Sequence, residues 1–158
     1  MLGRLSALLM GSTSEARQLD NSNRVALATC VVLMEAAGID DEFTGEERAH
    51  ILKTAERRFL LPPEEAESLL AEAAATRAQS SDLWKFTHEI NQAFSTEDKI
   101  SIMEEVWRIL YSDGSLDGRE DHLAHKLQSL LNLNHPQLIG AKLKILEERR
   151  DGKGSDND

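Results

Sequence analysis

Two acidic stretches hold the residue types best suited to chemistry: Asp40-Asp41-Glu42-Phe43-Thr44-Gly45-Glu46-Glu47 and Asp113-Gly114-Ser115-Leu116-Asp117-Gly118-Arg119-Glu120. Each opens with Asp, carries a turn-forming Gly at its sixth place and closes with Glu at its eighth, where a helix is expected to start. Adding 73 to a position carries Asp40 onto Asp113 and Glu47 onto Glu120. Four carboxylates therefore take equivalent places in what reads as an internal duplication. Brought together they repel, since two unit charges ~4 Å apart at an effective dielectric of ~20 cost about 4 kcal/mol. No Lys or Arg recurs in both stretches to offset this, because Arg119 is matched by Glu46. A bound divalent cation or shared protons must do so instead. An all-oxygen donor set suits calcium, magnesium or manganese better than zinc or copper, so Asp40, Glu47, Asp113 and Glu120 are candidate metal ligands.

Both stretches imitate the start of an EF-hand, with oxygen-bearing residues at relative positions 1, 3 and 5 and Gly at 6. The EF-hand needs a bidentate Glu at position 12; here that place holds Ile51 or Ala124, which excludes it. A second reading stands beside the metal site. Thr44-x-x-Glu47 and Asp117-x-x-Glu120 are capping-box patterns, whose side chains satisfy backbone donors at a helix start. A cap does not need the leading Asp, nor its repetition at one offset. Glu120 also shares a helical face with Leu123, Ala124, Leu127 and Leu131 and is expected to point inward, where a carboxylate requires compensation. The face of Glu47 is mixed, with Ile51 and also Arg58 on it.

Helices must position these loops. Leu, Ala and Glu dominate and aromatics make up only 4%, a balance that predicts an all-α fold of seven or eight helices in a single-domain bundle. The 158 residues suit one core, burying roughly two thirds of the unfolded surface. Residues 1–21 read as an N-terminal amphipathic helix and linker. Leu2, Leu5, Leu8 and Leu9 recur at helical spacing, and the Ser- and Asn-rich linker has room for one turn near Glu15 to Leu19. The body, residues 22–148, starts with a helix capped by Asn21 or Ser22 and reaching about Gly38. Further helices are expected from Glu46 to Phe59, after the Leu61-Pro62-Pro63 break, from Leu83, from the Ser95 cap to Leu110, from Arg119 to Leu131, and from Pro136 to Glu148. Residues 149–158 read as a disordered, charged tail. Trp84, Phe86, Phe94 and Trp107 fall at core-like spacing.

The formal net charge of −10 and pI near 5 argue against nucleic-acid binding, which needs a field of Lys and Arg. Cys30 is alone, so no intrachain disulfide forms and a buried core thiol in a reducing cytoplasm is expected. The longest apolar run, Val25 to Met34, has about half the length of a membrane span. Residues 1–10 are expected to pack on the domain, with a membrane-surface contact or a partner's groove as the alternatives. His122 and His125, at i and i+3 beside Glu120, suggest a zinc or di-iron helix, but the duplicated half supplies no matching pair.

The second stretch, running from the apolar Leu110-Tyr111-Ser112 through Asp113-Gly114 to Glu120, resembles the TerB-like (tellurite resistance protein B-like) family. That family's repeated signature is an apolar helix ending in Asp-Gly with Glu seven residues after the Asp, once in each half of an all-helical domain. The first stretch departs from it, with Asp41 where the family has Gly. The resemblance covers roughly residues 22–147, and the Leu-Pro-Pro-Glu-Glu break and Ser81-Asp82-Leu83 extend it. It implies a metal site at Asp40, Glu47, Asp113 and Glu120, and an association with tellurite or general stress resistance. A related domain occurs in membrane-anchored J-domain co-chaperones.

Nothing in the chain resembles a nucleophile with an orienting His, a P-loop or a dinucleotide fingerprint. The expected function is a non-enzymatic, cation-binding module that acts through a protein partner. The alternatives are a metal-dependent hydrolase, in which the ion activates water, and a purely structural interaction domain whose two loops are only caps.

Overall fold

The apolar stripes of the sequence become buried helix faces in the computed structural model, which describes residues 13–38, 45–80, 82–112 and 118–156. Seven helices are seen among the described residues: α1 (Thr13–Ala37), α2 (Gly45–Phe59), α3 (Pro63–Gln79), α4 (Trp84–Ala93), α5 (Thr96–Leu110), α6 (Gly118–Leu130) and α7 (His135–Asp156). No strand occurs among them. The expected all-α fold is correct.

Local chemistry starts several of these helices. Ser95 stands before α5 with extended backbone, and its side chain accepts from Asp98 N at 3.2 Å, which satisfies one of the donors a helix start leaves open. Asn134 and Gln137 cap α7 reciprocally: Gln137 N donates to Asn134 Oδ1 at 2.9 Å and Asn134 N donates to Gln137 Oε1 at 2.8 Å. Pro62 and Pro63 open α3, where a missing backbone donor costs nothing.

The duplication is visible in the helix limits. α1 ends at Ala37 and α5 at Leu110, while α2 starts at Gly45 and α6 at Gly118, the same 73-residue offset in both cases. It is visible in the packing too. α1, α2 and α3 touch one another pairwise, as do α5, α6 and α7; α1 and α5 join the two triplets, and α4 bridges α1 and α6. The core lies along that α1–α5 contact. Val32 and Leu33 of α1 and Ile102, Met103, Val106 and Trp107 of α5 belong to one core cluster and are all at most 1% exposed.

Two helix limits differ from expectation. α1 begins at Thr13, inside the stretch read as linker, because Ser and Asn weaken a helix by only about 0.5 kcal/mol each and no Pro or Gly interrupts residues 13–37. α7 continues to Asp156, through the tail expected to be disordered. A growing helix adds a hydrogen bond per residue, so Gly152 weakens it without ending it. Residues 1–10, the expected amphipathic helix, lie outside the described residues.

Aromatic placement follows expectation except for Trp84. Trp107 is fully buried and its Nε1 donates to Leu138 O at 3.3 Å, and Phe86 is buried. Trp84 is 55% exposed and stacks on His88 one turn along α4, since the inner face of that helix is already filled by Phe86, Thr87 and Ile90.

Candidate functional site

The four candidate ligands sit where α1 hands over to α2 and α5 to α6. Asp40 and Asp113 lie outside the described residues, as do Thr44 and Asp117, the leading residues of the two capping-box patterns. Glu47 is in the first turn of α2 and Glu120 in the first turn of α6, where the helix dipole favours a carboxylate. Glu120 is 3% exposed, and Leu123, Ala124, Leu127 and Leu131 on its face are buried with it, as their spacing predicts. Glu47 is half-buried while Ile51, one turn on, is fully enclosed.

Described residues on the near side of each loop line one cleft. A cavity of about 580 Å³ lies between α2, α5 and α7. Glu46, Glu47 and His50 form its α2 wall, directly after the first acidic loop. Ile109 and Ser112 contribute from the end of α5, directly before the second. Ile145, Glu148 and Arg149 of α7 close it, and Arg108 of α5 lines it as well. Of the two described candidate ligands, Glu47 lines this cleft; Glu120 lies in α6, which packs on α5 and α7. Among the described residues no three His, Cys, Asp or Glu side chains form a metal-ligating group.

A charge network centred on a buried acid, Glu105, lies beside the cleft. Glu105, on the inner face of α5 and 6% exposed, accepts from His50 Nε2 at 2.8 Å and from Arg108 Nη1. Arg57 Nη2 stands 3.9 Å from its other side. Arg108 turns its fork toward α7, donating through Nε and Nη2 to both oxygens of Glu148 at 2.8 and 3.2 Å. Burial raises the carboxyl pKa of Glu105, and the His50 hydrogen bond with the charges of Arg108, His50 and Arg57 outweighs it, so the carboxyl lies below its ordinary value. The hydrogen bond from Arg108 likewise lowers Glu148. This network ties α2, α5 and α7 together, and His50, Arg108 and Glu148 of it line the cleft.

One signal in the sequence points to it. Glu105 falls between Ile102 and Ile109 on the apolar face of α5, where an acid needs partners. Those partners are distant along the chain: His50 lies 55 positions from Glu105, and Glu148 lies 40 from the Arg108 that links it to the network. Their identity therefore has no local signature.

The other candidates resolve simply. His122 and His125 are exposed on α6, and His125 Nδ1 lies 2.9 Å from the backbone oxygen of Asp121, the solvated-face arrangement. Cys30 is 1% exposed, and burial pushes its thiol pKa up to about 12, which leaves it an unreactive core residue. No helix among the described residues is long and apolar enough to cross a membrane.

No curated protein and no solved structure gives a match to the chain. The family model of tellurite resistance protein TerB matches residues 26–143. Because that span takes in both halves of the duplication and the α4 bridge between them, the chain belongs to the TerB family of tellurite resistance proteins.

Proposed function

We propose that this chain is a non-enzymatic, divalent-cation-binding module of a tellurite or general stress response, acting in the cytoplasm through a protein partner. The cation is held by Asp40, Glu47, Asp113 and Glu120. The observation that supports this reading is the shared cleft: Glu46 and Glu47, where the first acidic loop ends, line the same cavity as Ile109 and Ser112, where the second begins. Loops anchored at one cavity can bring their carboxylates to one ion. The donors are hard oxygens, which fit calcium, magnesium or manganese, and Glu120 is buried to 3% exposure, where solvent screens its charge little.

Thermal unfolding of the full chain with each of the three chlorides tests the site. Binding raises stability by about 2.7 kcal/mol when free metal exceeds Kd a hundredfold, and Asp113→Asn combined with Glu120→Gln removes that gain. A wild-type chain whose melting temperature moves with none of the three ions overturns the reading.

A further inference from the structure

Where a helix ends by reversing the chain, the residue just past it takes a left-handed backbone that suits Gly or Asn, because a Cβ there crowds the following carbonyl. Among the described residues two non-glycines have positive φ, Leu60 at 53° and Asn132 at 58°. Each follows the second helix of its half, 72 positions apart, one short of the repeat offset. Past α2, Leu61 N donates to Glu56 O at 3.1 Å; past α6, Leu133 N donates to Gln128 O at 3.0 Å. Asn132 is the residue type this backbone favours. Leu60 is not, and it gains nothing from burial, being 87% exposed. A side chain disfavoured by both its backbone and the solvent calls for a contact outside the folded body.

The next residue, Leu61, lines a groove of about 980 Å³ between α1 and α3. Leu27, Leu61 and Leu69 lie half-buried along it, and Glu64, Glu65 and Glu72 stand exposed at its rim with a single cation, Arg24. An apolar floor whose rim sets three carboxylates against one guanidinium is acidic on balance; it complements a helix that carries apolar residues on one side and Lys or Arg on its flanks, and it repels an anionic lipid surface. We propose that this groove, with Leu60 at its edge, is the docking site for a basic amphipathic helix of a partner protein. It shares no lining residue with the cleft between α2, α5 and α7, so it stands whether or not a cation binds there.

The probe is a synthetic amphipathic helix of ~18 residues with Leu at i, i+3, i+4 and i+7 spacing and Lys on its flanks, beside a counterpart with Glu for Lys. Each is titrated into the full chain carrying labelled Leu methyl groups. The Lys peptide is expected to saturate, with shifts concentrated at Leu27, Leu60, Leu61 and Leu69, and the Glu peptide to leave them unmoved. Leu60→Asn suits the backbone and keeps the fold; it weakens the Lys peptide by about tenfold. Glu64→Gln, Glu65→Gln and Glu72→Gln together do the same, whereas Glu97→Gln, Asp98→Asn and Glu147→Gln, all at exposed positions elsewhere, change affinity by less than about twofold.

Equal weakening by the two triple variants reduces the binding to the net charge of the chain and overturns the proposal. So does unchanged affinity in Leu60→Asn, or methyl shifts centred away from the groove. Tighter peptide binding in Leu5→Ser with Leu9→Ser assigns the groove to the chain's own N-terminal segment, and self-association abolished by Leu60→Asn assigns it to a second copy; either overturns the basic partner.

Discussion

Glu105 concentrates the electrostatics of the fold in one side chain. It is held ionised more readily in the folded chain than its ordinary value of 4.5 allows, because the donors and cations around it outweigh its burial. The unfolded chain therefore binds the extra proton first as pH falls, so the stability Glu105 supplies is fully present above about pH 4.5 and is lost as pH drops through the lower folded value. Urea unfolding followed from about pH 6 to about pH 3 is expected to show a steeper loss in the wild type than in Glu105→Gln. At neutral pH that variant costs about 1–3 kcal/mol, because it leaves the half-buried donors of His50 and Arg108 less well matched. A midpoint that falls equally in both proteins removes Glu105 from the account. Glu120 was legible at this scale, since its inward direction follows from helical spacing alone. The same spacing places Glu105 among Ile102 and Ile109, but what compensates its charge comes from other helices.

Helix starts were the most legible elements, because a cap is a contact over three residues. Ser95 was expected to open α5, and it does so through a single hydrogen bond to Asp98 N. Since α5 is packed against α1, α6 and α7, fraying its first turn is felt by the whole domain; Ser95→Ala is expected to lower unfolding free energy by about 1 kcal/mol in chemical denaturation, and Ser95→Asp to lose much less. Helix extents were less legible. The start of α1 at Thr13 and the end of α7 at Asp156 depend on small propensity differences summed over many residues, and no single residue in either stretch forces a stop. The 73-residue offset, by contrast, survives as equal spacing of helix ends, because each half must place its loop between the same two packed helices.

The described residues form two three-helix halves bridged by α4 and sharing one core, in which Trp107 is fully buried. Trp107→Ala is expected to cost roughly 3–5 kcal/mol in urea unfolding, while Trp84→Ala, at a half-exposed site, stays within about 0.5 kcal/mol of wild type. Comparable losses at the two positions contradict this placement of the core. The sequence by itself determined the helical class, the duplication, most of the residues facing inward and the paired acidic stretches, because each is written in spacings of a few residues or in one repeated offset. Only the tertiary structure decided that α2, α5 and α7 enclose the cleft between the two loop ends, that His50 meets Glu105, and that Leu60 stands exposed beside an acid-rimmed groove. Those depend on which helix faces pack together. Packing is chosen by shape and volume across the entire core, and no local period in the chain records it.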